Sequence, residues 1–394
     1  MYRKNLRHFQ RENRFMIKVG ITGQSGFVGT HLYNTLGLNS HLFELIPFDD
    51  AYFQNYEVLQ NFVSKCDVII HLAAMNRHND PEVIYNTNIG LVKQLIDACE
   101  STNSTPHILF SSSTQEERDS LYGKSKKEGR ELLEQWANKN KAKFTGFIIP
   151  NVFGPFGHPY YNSVVATFCH QLSHHEQPKI NIDGEIKLIY VNELIRVIID
   201  HIEKVILEKN EKARIEIVQI PFTSTIKVSQ LLEKLNSYKT QYSEQGIIPC
   251  LDNEFEKNLF NTFLCYIDHS SFFPYMLKLN TDKRGSFVET IKLNSGGQIS
   301  FSTTKSGITR GNHYHTRKAE RFAVIKGKAR IELRKIGTDK VYTFGLDGNQ
   351  PSFVDMPIWF THNITNIGNT DLYTLFWINE PYNADDPDTW QENV

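Results

Sequence analysis

From Met16 to about residue 250, short apolar runs alternate with longer stretches of helical period. Beyond about residue 280 the helical period vanishes and only strand-like runs remain. One layer architecture cannot satisfy both patterns. Alternating strands and helices wind into a parallel sheet covered on both faces. Short strands separated by Gly, Asn and Asp turns close instead into a barrel or double-sheet roll. A chain of 394 residues is long enough for both. The expected organisation is a disordered extension over residues 1–15, an α/β doubly wound domain over 16–265 and an all-β domain over 266–394. The run LDNEFEKNLFNTFLCYIDHSSFFPY reads as an irregular, aromatic connection between the two.

Composition excludes several classes. The formal net charge is −1, so no general field draws the chain to nucleic acid or to an anionic membrane surface. No apolar run is long enough to span a bilayer, and the basic, polar start lacks the apolar region of a secretory signal. The five cysteines (Cys66, Cys99, Cys169, Cys250, Cys265) show no paired spacing and read as reduced thiols of a cytoplasmic protein.

The first chemical signal follows the strand MIKVGI. Gly23, Gly26 and Gly29 are spaced GxxGxxG before the helix HLYNTLGL. Such a loop allows a tight turn, close approach of backbone to a pyrophosphate and close packing of helix on strand. The helix then offers free N–H groups to phosphate oxygens. Ser25, Phe27 and Val28 within the loop, and Leu72 and Ala73 of the HLAA run after another buried strand, are expected to contact the same nucleotide. Asp49-Asp50 close the strand HLFELIPF, and an acid there binds a ribose 2′-hydroxyl and repels a 2′-phosphate.

The second signal is Tyr122-Gly123-Lys124-Ser125-Lys126 at the start of a helix. Tyr122 and Lys126 are four residues apart and share a face, so the ammonium is expected to lower the phenol's pKa toward a range useful for proton transfer. Ser113, last of a serine triplet at the end of HILFSSS, is placed to hold a carbonyl oxygen, with Ser111 and Ser112 as alternatives.

Together with Asn88 and the segment Pro150-Asn151-Val152-Phe153-Gly154-Pro155, these residues resemble the extended short-chain dehydrogenase/reductase family over roughly residues 16–260. The resemblance implies a Rossmann domain in which Tyr122 gives or takes the proton. Lys126 lowers its pKa and contacts the nicotinamide ribose, Ser113 polarises the substrate carbonyl, Asn88 belongs to the cofactor site and Asn151 to the nucleotide-sugar cleft. Only eight residues separate Ser113 from Tyr122, fewer than in most of the family. Sugar dehydratases of the family carry an Asp-Glu pair directly after the hydroxyl residue. Here Thr114-Gln115 stands there and Glu116-Glu117 follows, so ketone reduction fits better than dehydration.

The third signal lies in the strand-rich half. Three imidazoles (His313, His315, His362) and one carboxylate (Glu320) form a metal-ligand constellation, and the alternate residues His313 and His315 point to one face of a strand. Imidazole plus carboxylate suits zinc, and also nickel, iron or manganese. The spacing Gly307-(five)-His313-x-His315-(four)-Glu320-(six)-Gly327, followed by Pro357, His362 and Asn366, resembles the two cupin motifs and implies a jelly-roll barrel. It departs from them at Pro351 and Trp359, where glycines are expected.

The flanks Asp282-Lys283-Arg284-Gly285-Ser286-Phe287 and Gly307-Ile308-Thr309-Arg310-Gly311-Asn312-His313 also resemble the metal-free deoxysugar 3,5-epimerases. In those the histidine of RGxH is the base. By that likeness His313 is a catalytic candidate and Arg310 a substrate-binding one. The epimerases have Gln and Lys where His315 and Glu320 stand, so either a metal acts as Lewis acid here or it is structural and another residue is the base. Tyr314 and Tyr373 are candidate proton donors.

The whole pattern resembles the CapF-type (WbjC-like) enzymes of bacterial capsule and O-antigen synthesis. That likeness implies a homodimer acting on a UDP-linked 4-keto-6-deoxy amino sugar. The cupin would epimerise C3, and the reductase would reduce the C4 ketone with NADPH, toward a 6-deoxy-L-talosamine and L-fucosamine precursor. Asp49 favours NADH instead. The readings set against this one are a reductase of a related nucleotide sugar whose metal-binding cupin serves only dimerisation, and a non-enzymatic sugar sensor.

Overall fold

The structure, a computed structural model, describes residues 16–207, 214–283 and 285–394. The extension expected over 1–15 and Arg284 of the epimerase-like flank lie outside the described residues. Two compact units are interleaved in sequence. One runs up to Phe153 and takes in Gly157–Val164 and Glu185–Ile226. The other takes Gly154–Phe156, Val165–Gly184 and Lys227–Val394.

The first unit is built on six parallel strands: β1 (Ile17–Thr22), β2 (Phe43–Ile46), β3 (Val68–His71), β4 (His107–Ser113), β5 (Phe144–Ile149) and β6 (Ile215–Gln219). Their order is β2-β1-β3-β4-β5-β6. These strands are near-continuous apolar runs, as burial on both faces requires. Helices α1 (Phe27–Gly37), α2 (Tyr56–Lys65), α3 (Pro81–Ser101) and α4 (Leu121–Asn140) make the crossovers. Leu95, Leu133 and Trp136 from the helices pack on Ile69, Ile108 and Phe110 of the sheet. The chain moves from β1 to β2 on one side and returns to β3 on the other. That leaves a topological switch point at the carboxyl ends of β1 and β3, where ligands bind in folds of this class.

The second unit contains two antiparallel sheets. Its strands are β7 (Gln298–Thr304), β8 (Thr309–Tyr314), β9 (Glu320–Lys326), β10 (Lys328–Lys335), β11 (Val341–Asp347), β12 (Ser352–Met356), β13 (Phe360–Asn366), β14 (Leu372–Ile378) and β15 (Trp390–Gln391). One sheet runs Tyr275–Met276, β12, β9, β14, β7; the other runs β11, β10, β13, β8, β15. Ile331, Leu333, Phe353, Val354 and Ile364 fill the space between them. This is the all-β roll expected from the strand-only pattern.

The segment read as an irregular connection contains a helix, α5 (Glu254–Leu264), capped by Asn253. Its residues Leu259 to Leu264 are all buried. Its polar residues Glu254, Glu256, Lys257 and Asn258 lie in the first turns, exposed or half-buried.

Candidate active sites

The glycine loop lies at the switch point. Gly26 caps α1 with no side-chain hydrogen bond, and no acid occupies the first turn, so the helix N-terminus is open to an anion. Thr22 anchors the facing strand end: its carbonyl accepts the Leu72 N–H at 3.2 Å and its Oγ1 accepts the Ala73 N–H at 3.3 Å. Gly23 lies against the same backbone, where a Cβ would meet the Ala73 nitrogen at 2.8 Å.

The two acids after β2 divide their work. Asp49 caps the following turn, accepting the Ala51 N–H at 2.8 Å, while Asp50 accepts the Ser25 hydroxyl at 3.4 Å. The carboxylate in contact with the glycine loop is Asp50. Asn88 is buried, and its amide is spent on the Met75 N–H (2.7 Å), the Met75 carbonyl (3.1 Å) and Ser125 Oγ (3.0 Å). It ties the loop after β3 to α4.

Ser120 caps α4, its Oγ accepting the Gly123 N–H at 3.1 Å, which places Tyr122 in the first helical turn. The short Ser113-to-Tyr122 connection is a single turn, Thr114–Glu117, pressed against that helix start. A Cβ on Gly123 would lie 2.1 Å from the Gln115 carbonyl oxygen, so only glycine fits there. Of the three serines, Ser111 donates to the His71 carbonyl and Ser112 to Glu116. Ser113 Oγ accepts the Gln115 N–H at 3.1 Å, which leaves its hydroxyl proton uncommitted. Glu116 is also held by Arg130, with Nη2 at 2.9 Å and Nε at 3.0 Å. It is a structural ion-pair member rather than a free acid.

Burial pushes the Tyr122 phenol up to about 12, with Tyr161 adding to the rise. Lys126 is not among the causes of this shift. That lysine is itself buried and pushed down to about 8, and its Nζ lies 4.9 Å from the centroid of the Phe110 ring. Phe110 stacks on His71, whose Nδ1 is 2.7 Å from Thr22 Oγ1 and which burial holds neutral, down to about 3. Tyr161 approaches from residues 157–164, fastened to the loop after β3. Its hydroxyl accepts the Asn76 N–H at 3.3 Å, Asn162 donates to the Asn76 carbonyl at 2.7 Å, and Arg77 donates to the Tyr160 carbonyl. Asn151 is exposed and donates to the Lys187 carbonyl at 3.3 Å.

In the second unit His313, His315, Glu320 and His362 come together, their ligand atoms all within 4.8 Å of one another. His313 pairs directly with His362 across β8 and β13, with ring centroids 4.6 Å apart. This register depends on a bulge between Gly311 and His313. Gly311 has φ +102°, and a Cβ there would meet the His362 carbonyl oxygen at 2.7 Å. Glu320 enters from the other sheet, its Oε2 3.3 Å from His315 Nε2 and 3.1 Å from His362 Nε2. None of these three buried atoms completes a hydrogen bond. Buried polar atoms without partners are rare, and three converging on one point fit a cation. The imidazole and carboxylate set suits zinc. Burial works against the Glu320 anion, but His315 and His362 outweigh it and hold its carboxyl well below the usual range. His313 is pushed down to about 4 by burial and by the other two imidazoles.

The pleat removes both candidate proton donors from this pocket. Tyr314 lies between His313 and His315 on the opposite face and stacks on Trp359 at 5.7 Å. Tyr373 pairs opposite Lys326 and contacts Phe301, which is 57% exposed. The residues sharing Glu320's face are instead Phe322, Thr374, Phe376, Gln298, Ser300 and Ser302, read from the paired rows. Arg310 on β8 is exposed. Asn366 is buried and spent on the Thr304 and Thr370 carbonyls, both at 2.8 Å, so it serves the turn rather than the centre. Trp359 holds φ +62°, which explains why a glycine is usual there. No signal in the sequence pointed to Asp388, whose carbonyl oxygen lies 2.5 Å from His315 Nδ1.

Residues 19–215 match the NAD dependent epimerase/dehydratase family, and residues 280–390 match the polysaccharide biosynthesis C-terminal domain. Over 380 residues the chain is 34% identical to the UDP-2-acetamido-2,6-beta-L-arabino-hexul-4-ose reductase of Pseudomonas aeruginosa, covering 96% of this chain and 99% of that one. It is also similar to the crystal structure of the capsular polysaccharide assembling protein CapF from Staphylococcus aureus, with TM-score 0.60 and 34% identity over 96% of this chain and 100% of that one. A UDP-glucose 4-epimerase from Thermotoga maritima shares the fold alone, with TM-score 0.52 and 19% identity over 64% of this chain and 98% of that one. Among the described residues no helix is long and apolar enough to cross a membrane.

Proposed function

The chain belongs to the CapF-type family, in which an extended short-chain dehydrogenase/reductase carries a C-terminal polysaccharide-biosynthesis domain, and from that premise we propose that it reduces the C4 ketone of a UDP-linked 2-acetamido-2,6-dideoxy-4-hexulose after its barrel has epimerised C3. The product would be UDP-2-acetamido-2,6-dideoxy-L-talose, an L-fucosamine and capsule precursor. The order is chemically required, because reduction removes the carbonyl that acidifies the C3 proton.

One observation carries the reductase reading. Tyr122 stands half-buried in the first turn of α4, while the nearby acid Glu116 is locked to Arg130 and Ser112. A ketone reduction needs one proton donor and no second acid. Tyr122 donates that proton to the carbonyl oxygen, the free Ser113 hydroxyl holds the same oxygen, and Lys126 stabilises the phenolate left behind. A bound nicotinamide would supply the hydride. The resemblance points to NADPH, and Asp49 with Asp50 to NADH.

In the barrel, His313, His315, Glu320 and His362 would hold zinc, which would supply Lewis-acid stabilisation of a substrate oxygen. The row Gln298, Ser300 and Ser302 offers amide and hydroxyl groups to the sugar. A second reading is favoured by the placement of Tyr314 and Tyr373 off Glu320's face: a barrel that binds metal but catalyses nothing and serves only a homodimer. Incubation with the 4-keto sugar in D₂O without cofactor separates the two. Deuterium at C3 is expected, and its absence by NMR would exclude the epimerase. Product NMR with NADPH then tests the reductase. The cytoplasmic location belongs to the same proposal.

A further inference from the structure

Each of two barrel histidines is oriented by its own strand: His362 Nδ1 lies 3.3 Å from the Phe360 carbonyl, and the His313 ring donates a hydrogen bond to the backbone of Gly311. His315 is different. Its Nδ1 is bonded to the carbonyl of Asp388, which is 73 residues away. The same Asp388 turns its side chain back onto the turn that follows His315. Its carboxylate accepts the Thr316 N–H (3.1 and 3.2 Å), Thr316 Oγ1 (2.7 Å), the Arg317 N–H (2.9 Å) and the Lys318 N–H (3.2 Å). The Trp390 indole adds a further bond at 3.3 Å. Asp388 is 4% exposed and has φ +41°, a left-handed conformation that aspartate tolerates better than most residues.

That turn joins two of the four candidate ligands, His315 and Glu320. One residue therefore sets both the orientation of an imidazole and the path between it and the carboxylate. A carbonyl at Nδ1 fixes the proton there and leaves the lone pair on Nε2, the buried atom that faces Glu320. We propose that Asp388 is the positioning residue of the barrel's metal centre, so that the segment after β14, and not the two sheets alone, sets the affinity for the ion. This inference rests on the reading of His313, His315, Glu320 and His362 as ligands.

The segment has anchors that do not involve Asp388. Gln391 and Trp390 pair with His313 and Tyr314, the Glu392 N–H donates to the Asn312 carbonyl at 3.0 Å, and Arg334 donates to Glu392 at 2.8 Å. Replacing Asp388 should then loosen the His315 turn without releasing the strand.

The test uses the full-length protein loaded with Zn²⁺ and titrated with a chromophoric chelator, with Co²⁺ substitution to read the ligand field. Asp388→Ala is expected to weaken Zn²⁺ binding by roughly 10–100-fold and to change the Co²⁺ d–d spectrum, while the metal-free protein still unfolds in one cooperative transition. Asp388→Asn, which retains one acceptor and the main-chain carbonyl, is expected to fall between. Should Asp388→Ala fail to fold, Asp388→Asn and Thr316→Val carry the test, and graded weakening supports the proposal. Affinity within twofold of the parent in the folded variants would overturn it while leaving the metal centre standing. A parent protein that binds no Zn²⁺ or Co²⁺ would overturn both.

Discussion

Arg321 and Asp355 face each other within the barrel unit as a forked pair, Nε to Oδ1 at 2.8 Å and Nη2 to Oδ2 at 2.9 Å, and both are buried. Arg321 also donates to the Gly246 carbonyl at 2.7 Å and lies 3.5 Å from the centroid of Phe353, and Tyr242 donates to Asp355 at 2.5 Å. Removing one member leaves a buried charge without its partner. Asp355→Ala is expected to destabilise this unit by about 3–5 kcal/mol. Denaturant unfolding followed by the barrel tryptophans would show it, and a loss below about 1 kcal/mol would contradict the account.

Tyr122→Phe should lower ketone reduction by about 10²–10⁴-fold while nucleotide binding persists. Because burial holds the Tyr122 proton up to about 12, the phenol stays protonated at neutral pH, and kcat/KM should not fall on its account between pH 6 and pH 8. A steep alkaline decline centred below pH 7, absent from Tyr122→Phe, would show instead that the phenol titrates near neutrality.

Gly123→Ala tests the tight start of α4. The added methyl would meet the Gln115 carbonyl oxygen at 2.1 Å, so either the Thr114–Glu117 turn or the first helical turn must move, and Tyr122 with it. A displacement of about 1 Å costs on the order of 10²-fold in turnover. Expected are a fall in kcat and a nearly unchanged dissociation constant for the dinucleotide, measured by steady-state kinetics and calorimetry.

Asp50→Ala should shift cofactor preference. With the carboxylate beside Ser25 removed, a 2′-phosphate meets less repulsion, and the ratio of kcat/KM for NADPH to that for NADH is expected to rise by roughly tenfold. Asp49→Ala, which removes a turn cap, should change the ratio less. The reverse ranking would restore the assignment read from sequence.

His71 and His107 are buried and pushed down to about 3. The unfolded chain, with ordinary imidazoles near 6.5, binds more protons than the folded one between those limits. Stability is therefore complete above about pH 6.5 and declines as pH falls toward 3, by about 1.4 kcal/mol per pH unit for each histidine across the middle of that window. Urea midpoints at pH 7, 5.5 and 4.5 should drop, and His107→Gln should flatten the slope. An unchanged slope would mean that other groups carry the acid sensitivity.

Local, periodic patterns made much of this structure legible in advance. The parallel strands announce themselves as apolar runs, the glycine loop and Tyr122–Lys126 sit within single turns of backbone, and His313, His315 and Glu320 lie within one hairpin's reach. What escaped depends on contacts between distant segments or on parity. Helix α5 is short, and its period is lost in the aromatic run around it. Asp388 is joined to His315 only by the fold. Tyr314 and Tyr373 were plausible donors by type, yet the pleat turns them away from Glu320's face. The sequence also could not show that Lys126 would be buried with its Nζ beside the Phe110 ring, since Phe110 lies on a different element.

The interleaving of the two compact units has an evolutionary consequence. A crossover joining a reductase half from one gene to a barrel half from another at residues 265/266 would sever Tyr242 and Gly246 from the Arg321–Asp355 pair and Ser173 from the Tyr266 carbonyl. Such chimaeras would carry mismatched halves of one hydrophobic and ionic core. Two halves that look separable on the linear map therefore could not be exchanged at that point without rebuilding this core.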